Sequence, residues 1–162
     1  MYIQSMKTKI SKDVLIVGAG AAGLMCAIEA GKRGRSVIVL ERNAKVGEKI
    51  RISGGGRCNF TNREAGSANF LSENQHFCKS ALAQFTPDDF IEMVEWHGIA
   101  YHEKKLGQLF CDESAQQIIE MLLKECRDGG VEILTDCDVG SISKDKFFSI
   151  ETSEGMFQSE SL

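Results

Sequence analysis

Three short apolar runs frame the chain. Asp13–Val17 (DVLIV), Ser36–Leu40 (SVIVL) and Val131–Leu134 (VEIL) are almost continuously aliphatic and rich in β-branched residues, the pattern of strands covered on both faces in a parallel sheet. A helical stretch, Ala21–Arg33, joins the first two and completes a βαβ unit, with Gly34 as its stop. A second helix is announced at Thr86-Pro87-Asp88-Asp89, where a threonine N-cap precedes a proline at the first helical position and two acids in the first turn. Phe90, Ile91, Val94 and Trp96 supply its expected buried side, and Gly98 ends it. Glu73–Gln84 carries a weaker helical pattern, and Ile99–His102 with Gln108–Cys111 reads as a small hairpin around EKKLG. Ser114 and Gln117 have capping-box spacing ahead of an apolar face of Ile118, Ile119, Leu122, Leu123 and Cys126, which Gly129-Gly130 closes. From Val139 onward, three alternating runs predict an antiparallel meander.

The expected architecture is therefore α/β and Rossmann-like. It has three parallel strands, a helical insertion at about residues 63–112 between the second and third, and an antiparallel β-meander. Residues 1–12 show no pattern and read as a polar leader, in which Met6 is an alternative start.

Composition narrows the class. Of 162 residues, 43% are apolar and 26% charged, as in an ordinary globular domain, and a net charge of −4 gives no reason to expect nucleic acid as a partner. The apolar runs are too short to span a bilayer, and MYIQSMKTKISK lacks the apolar centre of a secretory signal, so a cytoplasmic location with no membrane partner is expected. The six cysteines are scattered without a CxxC or a Cys/His pair at ligand spacing, so no metal site is expected and most of them read as core filling. Cys58 stands apart because it lies between Arg57 and Asn59, where a lowered pKa and redox chemistry compete with a packing role. His97 and His102 read as partly exposed structural residues, and Asp88 and Asp89 as helix-start acids.

GAGAAG, Gly18–Gly23, carries the first chemical signal, since it follows a buried strand and opens a helix. Gly18 permits the tight turn, Gly20 lets the backbone approach a pyrophosphate, and Gly23 lets the helix pack closely on the sheet. The main chain around Ala22 then offers helix N-terminal N–H groups to an anion. Glu41, 18 residues after Gly23, ends the second strand where both hydroxyls of an adenosine ribose are within reach. Its charge disfavours a 2′-phosphate, with Arg42 beside it weakening that argument, so NAD and FAD both remain open.

KIRISGGGRCNFTN, Lys49–Asn62, carries the second signal. Three consecutive glycines cost conformational entropy, which a plain surface turn or a loop pressed against a ligand explains. The combination of DVLIVGAGAAG, VIVLERN, GEKIRISGGGRCNFTN and GQLF before a capped helix resembles the BaiN/YhiN-like flavoproteins, also described as aminoacetone-oxidase-family FAD-binding enzymes. The resemblance runs from residue 13 onward and implies FAD as cofactor. It implies that Ser53, Gly54, Gly55 and Arg57 help to hold it, with Lys49 and Asn59 as further contacts, and that the backbone of Val139 meets adenine. Cys111 stands where that family usually has proline.

Members of the family are much longer. The chain stops where a fourth parallel strand would begin, so the resemblance implies the N-terminal portion of a flavin-dependent oxidoreductase acting on an unidentified small molecule. The alternatives are a small NAD-binding Rossmann module and an inactive truncated product. A missing fourth strand would leave DVLIV as an uncovered sheet edge through which copies self-associate.

Overall fold

The structure, a computed structural model, describes residues 9–162. In chain order the elements are β1 (Lys9–Val17), α1 (Ala21–Lys32), β2 (Val37–Leu40), α2 (Glu48–Ile52), β3 (Asn59–Asn62), α3 (Lys79–Gln84), α4 (Pro87–Trp96), β4 (Tyr101–Glu103), β5 (Gln108–Cys111), α5 (Ala115–Asp128), β6 (Glu132–Leu134), β7 (Val139–Lys144), β8 (Phe148–Thr152) and β9 (Gly155–Ser161). They fall into two compact units, one formed by the chain up to Glu48 together with Leu122–Leu162, the other by Lys49–Met121.

The first unit is a six-stranded sheet in the order β6-β2-β1-β9-β8-β7. β6, β2, β1 and β9 run parallel, and β9, β8 and β7 form the expected antiparallel meander. Every residue of β2 is buried, as its uninterrupted VIVL implies. A polar staple precedes the first paired residues of β1 and β2: Asp13 accepts from the Ser36 amide and hydroxyl at 2.7 and 2.8 Å, and the Asp13 amide donates to Ser36 Oγ at 2.9 Å. These bonds to the charged form hold the Asp13 carboxyl below its ordinary value. Leu15, Ile38, Leu40, Cys137, Ile150 and Phe157 form one buried cluster of this sheet.

Two expectations are corrected here. The edge expected to be open along DVLIV is shorter than expected: β9 pairs with β1 from Lys9↔Met156 to Val14↔Ser161, and this pairing stops short of residues 15–17. The parallel strands are accordingly four and not three. Residues 9–12, expected in the polar leader, form the first part of β1, while the rest of that leader lies outside the described residues.

The second unit holds the antiparallel sheet β3-β5-β4 and helices α3 and α4. The region expected as an insertion at about 63–112 lies within it. Thr86 caps α4 reciprocally with Asp89: the Asp89 amide donates to Thr86 Oγ1 at 3.3 Å, and the Thr86 amide donates back to the carboxylate at 2.6 Å. Ile91 and Val94 are buried as expected, but Trp96 is 86% exposed. Two positions past Val94 a side chain points to the opposite side of the helix. The weaker helix shrinks to Lys79–Gln84 because Ser72 and Asn74 side chains capture the amides of Asn74 and His76, at 3.3 and 3.0 Å, in competing turns.

Candidate functional site

The fold makes different demands at the three fingerprint glycines. Gly18 has φ +97°, a backbone conformation that L side chains rarely adopt, so the turn itself demands glycine. A Cβ on Gly23 would lie 2.0 Å from the carbonyl oxygen of Gly18, so α1 can sit this close to the β1 turn only without one. Gly20 has φ −84° and ψ −176°, open to any residue, and a Cβ there would meet nothing within 4 Å. Among the described residues no contact calls for glycine at position 20. Gly20 also caps α1 without a side-chain hydrogen bond, and the first turn holds no acid, so the helix N-terminus presents its N–H groups and partial positive charge at exposed Gly20, Ala21 and Ala22.

Beside this turn, at the C-terminal ends of β1 and β2, is a cavity of about 330 Å³. Val17, Gly18 and Leu40 to Asn43 line one side, and Cys137 to Val139 the other. Glu41 is only 7% exposed. Its Oε2 accepts from the Ala19 amide at 2.7 Å, and its Oε1 accepts from both the amide and the side-chain Nδ2 of Asn43, at 2.8 and 2.7 Å. The Glu41 backbone is fixed as well, since its amide donates to Leu134 and its carbonyl accepts from Cys137. A carboxylate in the wall of an adenosine-sized cavity next to a helix N-terminus is what an adenine dinucleotide requires. The residues present therefore fit the expected cofactor.

The structure thus brings Gly18, Glu41, Arg42 and Val139 to one cavity, with Gly20, Ala22 and Gly23 in the adjoining turn and helix start. Sequence reasoning missed Asn43, Cys137 and Asp138. Asn43 stands in the VIVLERN run, and its clamp on Glu41 is a short-range side-chain geometry that no periodicity encodes.

Lys49, Ser53, Gly54, Gly55, Arg57 and Asn59 belong to the second unit. The three glycines after Ser53 all have positive φ, at +57°, +67° and +86°, and Cys58 follows at +52°. A Cβ on Gly54 would come within 2.8 Å of the Phe110 ring and the Asn59 amide, whereas Gly55 and Gly56 face open space. Ser53 donates to the Ile50 carbonyl at 2.7 Å, and the Asn59 amide nitrogen, turned toward β5, donates to Leu109 and Thr61 carbonyls at 3.2 and 3.1 Å. Those two side chains bond to the main chain of the loop and its sheet, and Lys49, Arg57 and Asn59 are exposed. Cys58 is buried, and burial raises its thiol pKa, which agrees with the packing alternative and not with the redox one.

No helix among the described residues is long and apolar enough to cross a membrane, and no group of three or more His, Cys, Asp and Glu among them is placed to hold a metal ion.

Comparison with known proteins agrees with this geometry. The chain is 55% identical over 134 residues to the ribosomal RNA dihydrouridine synthase of Escherichia coli K12, covering 83% of this chain and 34% of that one. It is 29% identical over 130 residues to the 3-dehydro-bile acid delta(4,6)-reductase of Clostridium scindens, covering 78% and 32%. The chain spans about a third of the length of these curated relatives. Among solved structures, the 3-ketosteroid-delta4-(5alpha)-dehydrogenase of Rhodococcus jostii RHA1 superposes with a TM-score of 0.61 at 15% identity, covering 98% of this chain and 45% of that one, a likeness of fold. Residues 12–162 match the family model described as HI0933-like protein Rossmann domain, and with the fingerprint turn, the buried Glu41 and the six-stranded sheet in place, the chain belongs to the HI0933-like Rossmann-domain family.

Proposed function

We propose that this chain is the FAD-binding part of a flavin-dependent reductase that saturates a carbon–carbon double bond conjugated to a carbonyl, with uridine in ribosomal RNA as the substrate of the whole enzyme. The observation that carries the cofactor half is the Gly18–Glu41 cavity, whose open Gly20 and clamped carboxylate suit the adenosine and pyrophosphate of a dinucleotide. The reaction half rests on the relatives' names. Dihydrouridine forms by saturation of the uracil C5=C6 bond, which is conjugated to the C4 carbonyl, and a 3-dehydro-delta(4,6) steroid likewise presents double bonds conjugated to its 3-ketone. Reduction of the uracil ring adds a hydride equivalent at C6, the β carbon, and a proton at C5, and in the dienone the same conjugation to a carbonyl makes the carbon–carbon double bonds accept hydride.

When bound, FAD supplies the hydride chemistry that no protein side chain can. The chain's own contribution is binding and orientation. The N–H groups at Gly20–Ala22 meet the pyrophosphate, Glu41 accepts from the ribose, and the main chain near Val139 flanks the adenine. A net charge of −4 gives this part no general attraction to RNA, so contacts to the phosphate backbone are assigned to the portion of the relatives that this chain does not span.

The reading is tested in two steps. Ligand released from purified protein by heat should chromatograph as FAD; its identification as NAD would favour the NAD-binding module. In cells lacking the gene, mass spectrometry of ribosomal RNA should show uridine in place of a dihydrouridine, and an unchanged RNA would refute the substrate.

A further inference from the structure

We propose that Asn43 restricts Glu41 to a single ribose hydroxyl, making Asn43 the residue that sets how the adenosine half of the ligand is read. The inference rests on the dinucleotide reading of the cavity and concerns one feature of it, the number of acceptor positions left on the carboxylate.

A carboxylate has two oxygens and about four lone-pair sites. Three N–H donors already point at Glu41: the Ala19 amide at Oε2, and the amide and Nδ2 of Asn43 at Oε1. Both sites of Oε1 are taken, and one site on Oε2 remains. Two main-chain donors fix the carboxylate, one from the fingerprint turn and one from the residue after Arg42. Asn43 itself is exposed and lines the cavity, and its carbonyl accepts from the Asp136 amide at 3.2 Å, so its backbone is tied to the opposite wall. Its Nδ2 therefore occupies the Oε1 position that a second hydroxyl would need. Acceptance of both ribose hydroxyls, expected from the sequence alone, requires that this side chain let go.

Removing the amide frees one site without unpinning the carboxylate, since the Ala19 and residue 43 main-chain donors are untouched. Asn43→Ala thus converts one-hydroxyl recognition into two-hydroxyl recognition. A residue with only a stability role would change affinity for all nucleotides alike.

The test is titration of the chain with ADP, 2′-deoxy-ADP and 3′-deoxy-ADP, followed by amide chemical shifts. For the wild type, one deoxy analogue should bind about tenfold or more weaker than ADP, as expected for loss of a hydrogen bond to a charged acceptor. The other should stay within about twofold of ADP, because its missing hydroxyl had no acceptor on Glu41. In Asn43→Ala both deoxy analogues should be weakened by about tenfold. Asn43→Leu, similar in size and without a side-chain donor, gives the same comparison if the alanine variant does not fold. Comparable weakening of both analogues in the wild type would overturn the proposal, and so would an unchanged pattern in the variant. Failure of ADP itself to shift the cavity resonances would overturn the dinucleotide reading on which the proposal stands.

Discussion

Substituting alanine at Gly23 and at Gly20 separates the structural half of the fingerprint from the ligand half. At Gly23 the new methyl would sit 2.0 Å from Gly18 O, 3.2 Å from Gly18 C and 3.3 Å from Ile16 Cγ2, where ordinary contact begins at 3.4 Å. Relief requires α1 to retreat by about 1.4 Å (3.4 − 2.0), and the obstruction is main chain with no rotamer to change. That retreat loosens Leu24, Ala27 and Ile28, all fully buried. Overpacking of this kind costs about 3 kcal/mol at the upper end of its usual range. The better helix propensity of alanine offsets about 1 kcal/mol of that. The net loss of about 2 kcal/mol lowers the melting temperature by about 4–8 °C for a chain of this size. At Gly20 nothing lies within 4 Å and φ is already negative, so Gly20→Ala should melt within about 2–3 °C of the wild type. Yet it should bind FAD more weakly, because its methyl projects into the space left for the pyrophosphate. Differential scanning calorimetry with flavin fluorescence titration reads both quantities. A Gly23→Ala protein that melts with the wild type, or a Gly20→Ala protein that melts well below it, would refute this division of roles.

Glu41→Ala should weaken FAD by about 1–3 kcal/mol, measured by titration calorimetry, since a ribose hydroxyl loses a charged acceptor in a buried wall. Unchanged affinity would show that Glu41 serves only the turn. In the native protein, Cys26 and Cys78 should react with a thiol reagent at pH 8 well before the four buried cysteines. Burial raises Cys111 and Cys126 from an ordinary 9.0 to about 11, so in the folded chain they keep protons that the unfolded chain loses; the resulting stability is full below about pH 9 and disappears as pH rises through 11, which denaturant melts across that window would reveal. Thr86→Ala should cost about 1 kcal/mol through loss of the α4 cap. Asp89, held below its ordinary 3.8 by its bonds to Thr86, stabilises above that pH, and its contribution is lost as pH falls through its lowered value in the folded chain.

The βαβ unit, the α4 cap and the meander were legible because each is written in local chemistry: continuous aliphatic runs, a Thr-Pro-Asp-Asp start and alternating strands. The place of β9 was not. Gly155–Ser161 alternates like any meander strand, and nothing in that pattern states that its other edge pairs with Lys9–Val14. At Cys58 the packing alternative holds. Its neighbours in sequence are polar, but a left-handed backbone turns the thiol into the interior while Arg57 stays outside. The glycine loop was recognisable as unusual, and the structure adds that Gly54 is required by contact with Phe110, whereas Gly55 and Gly56 are required by conformation alone. In the cavity, Gly18 and Glu41 followed from spacing. Asn43 did not, because a side chain that binds a neighbour two residues away leaves no periodic trace.

The central claim is that the C-terminal ends of β1 and β2 hold the adenosine half of FAD. Amide chemical-shift mapping of the 162-residue chain during titration with FAD tests it most directly. Saturable shifts centred on Gly18, Gly20, Ala22, Glu41 and Val139, reproduced by ADP and moved to higher ligand concentration by Glu41→Ala, are the predicted result. Binding of FAD that leaves those five amides unmoved would contradict the account.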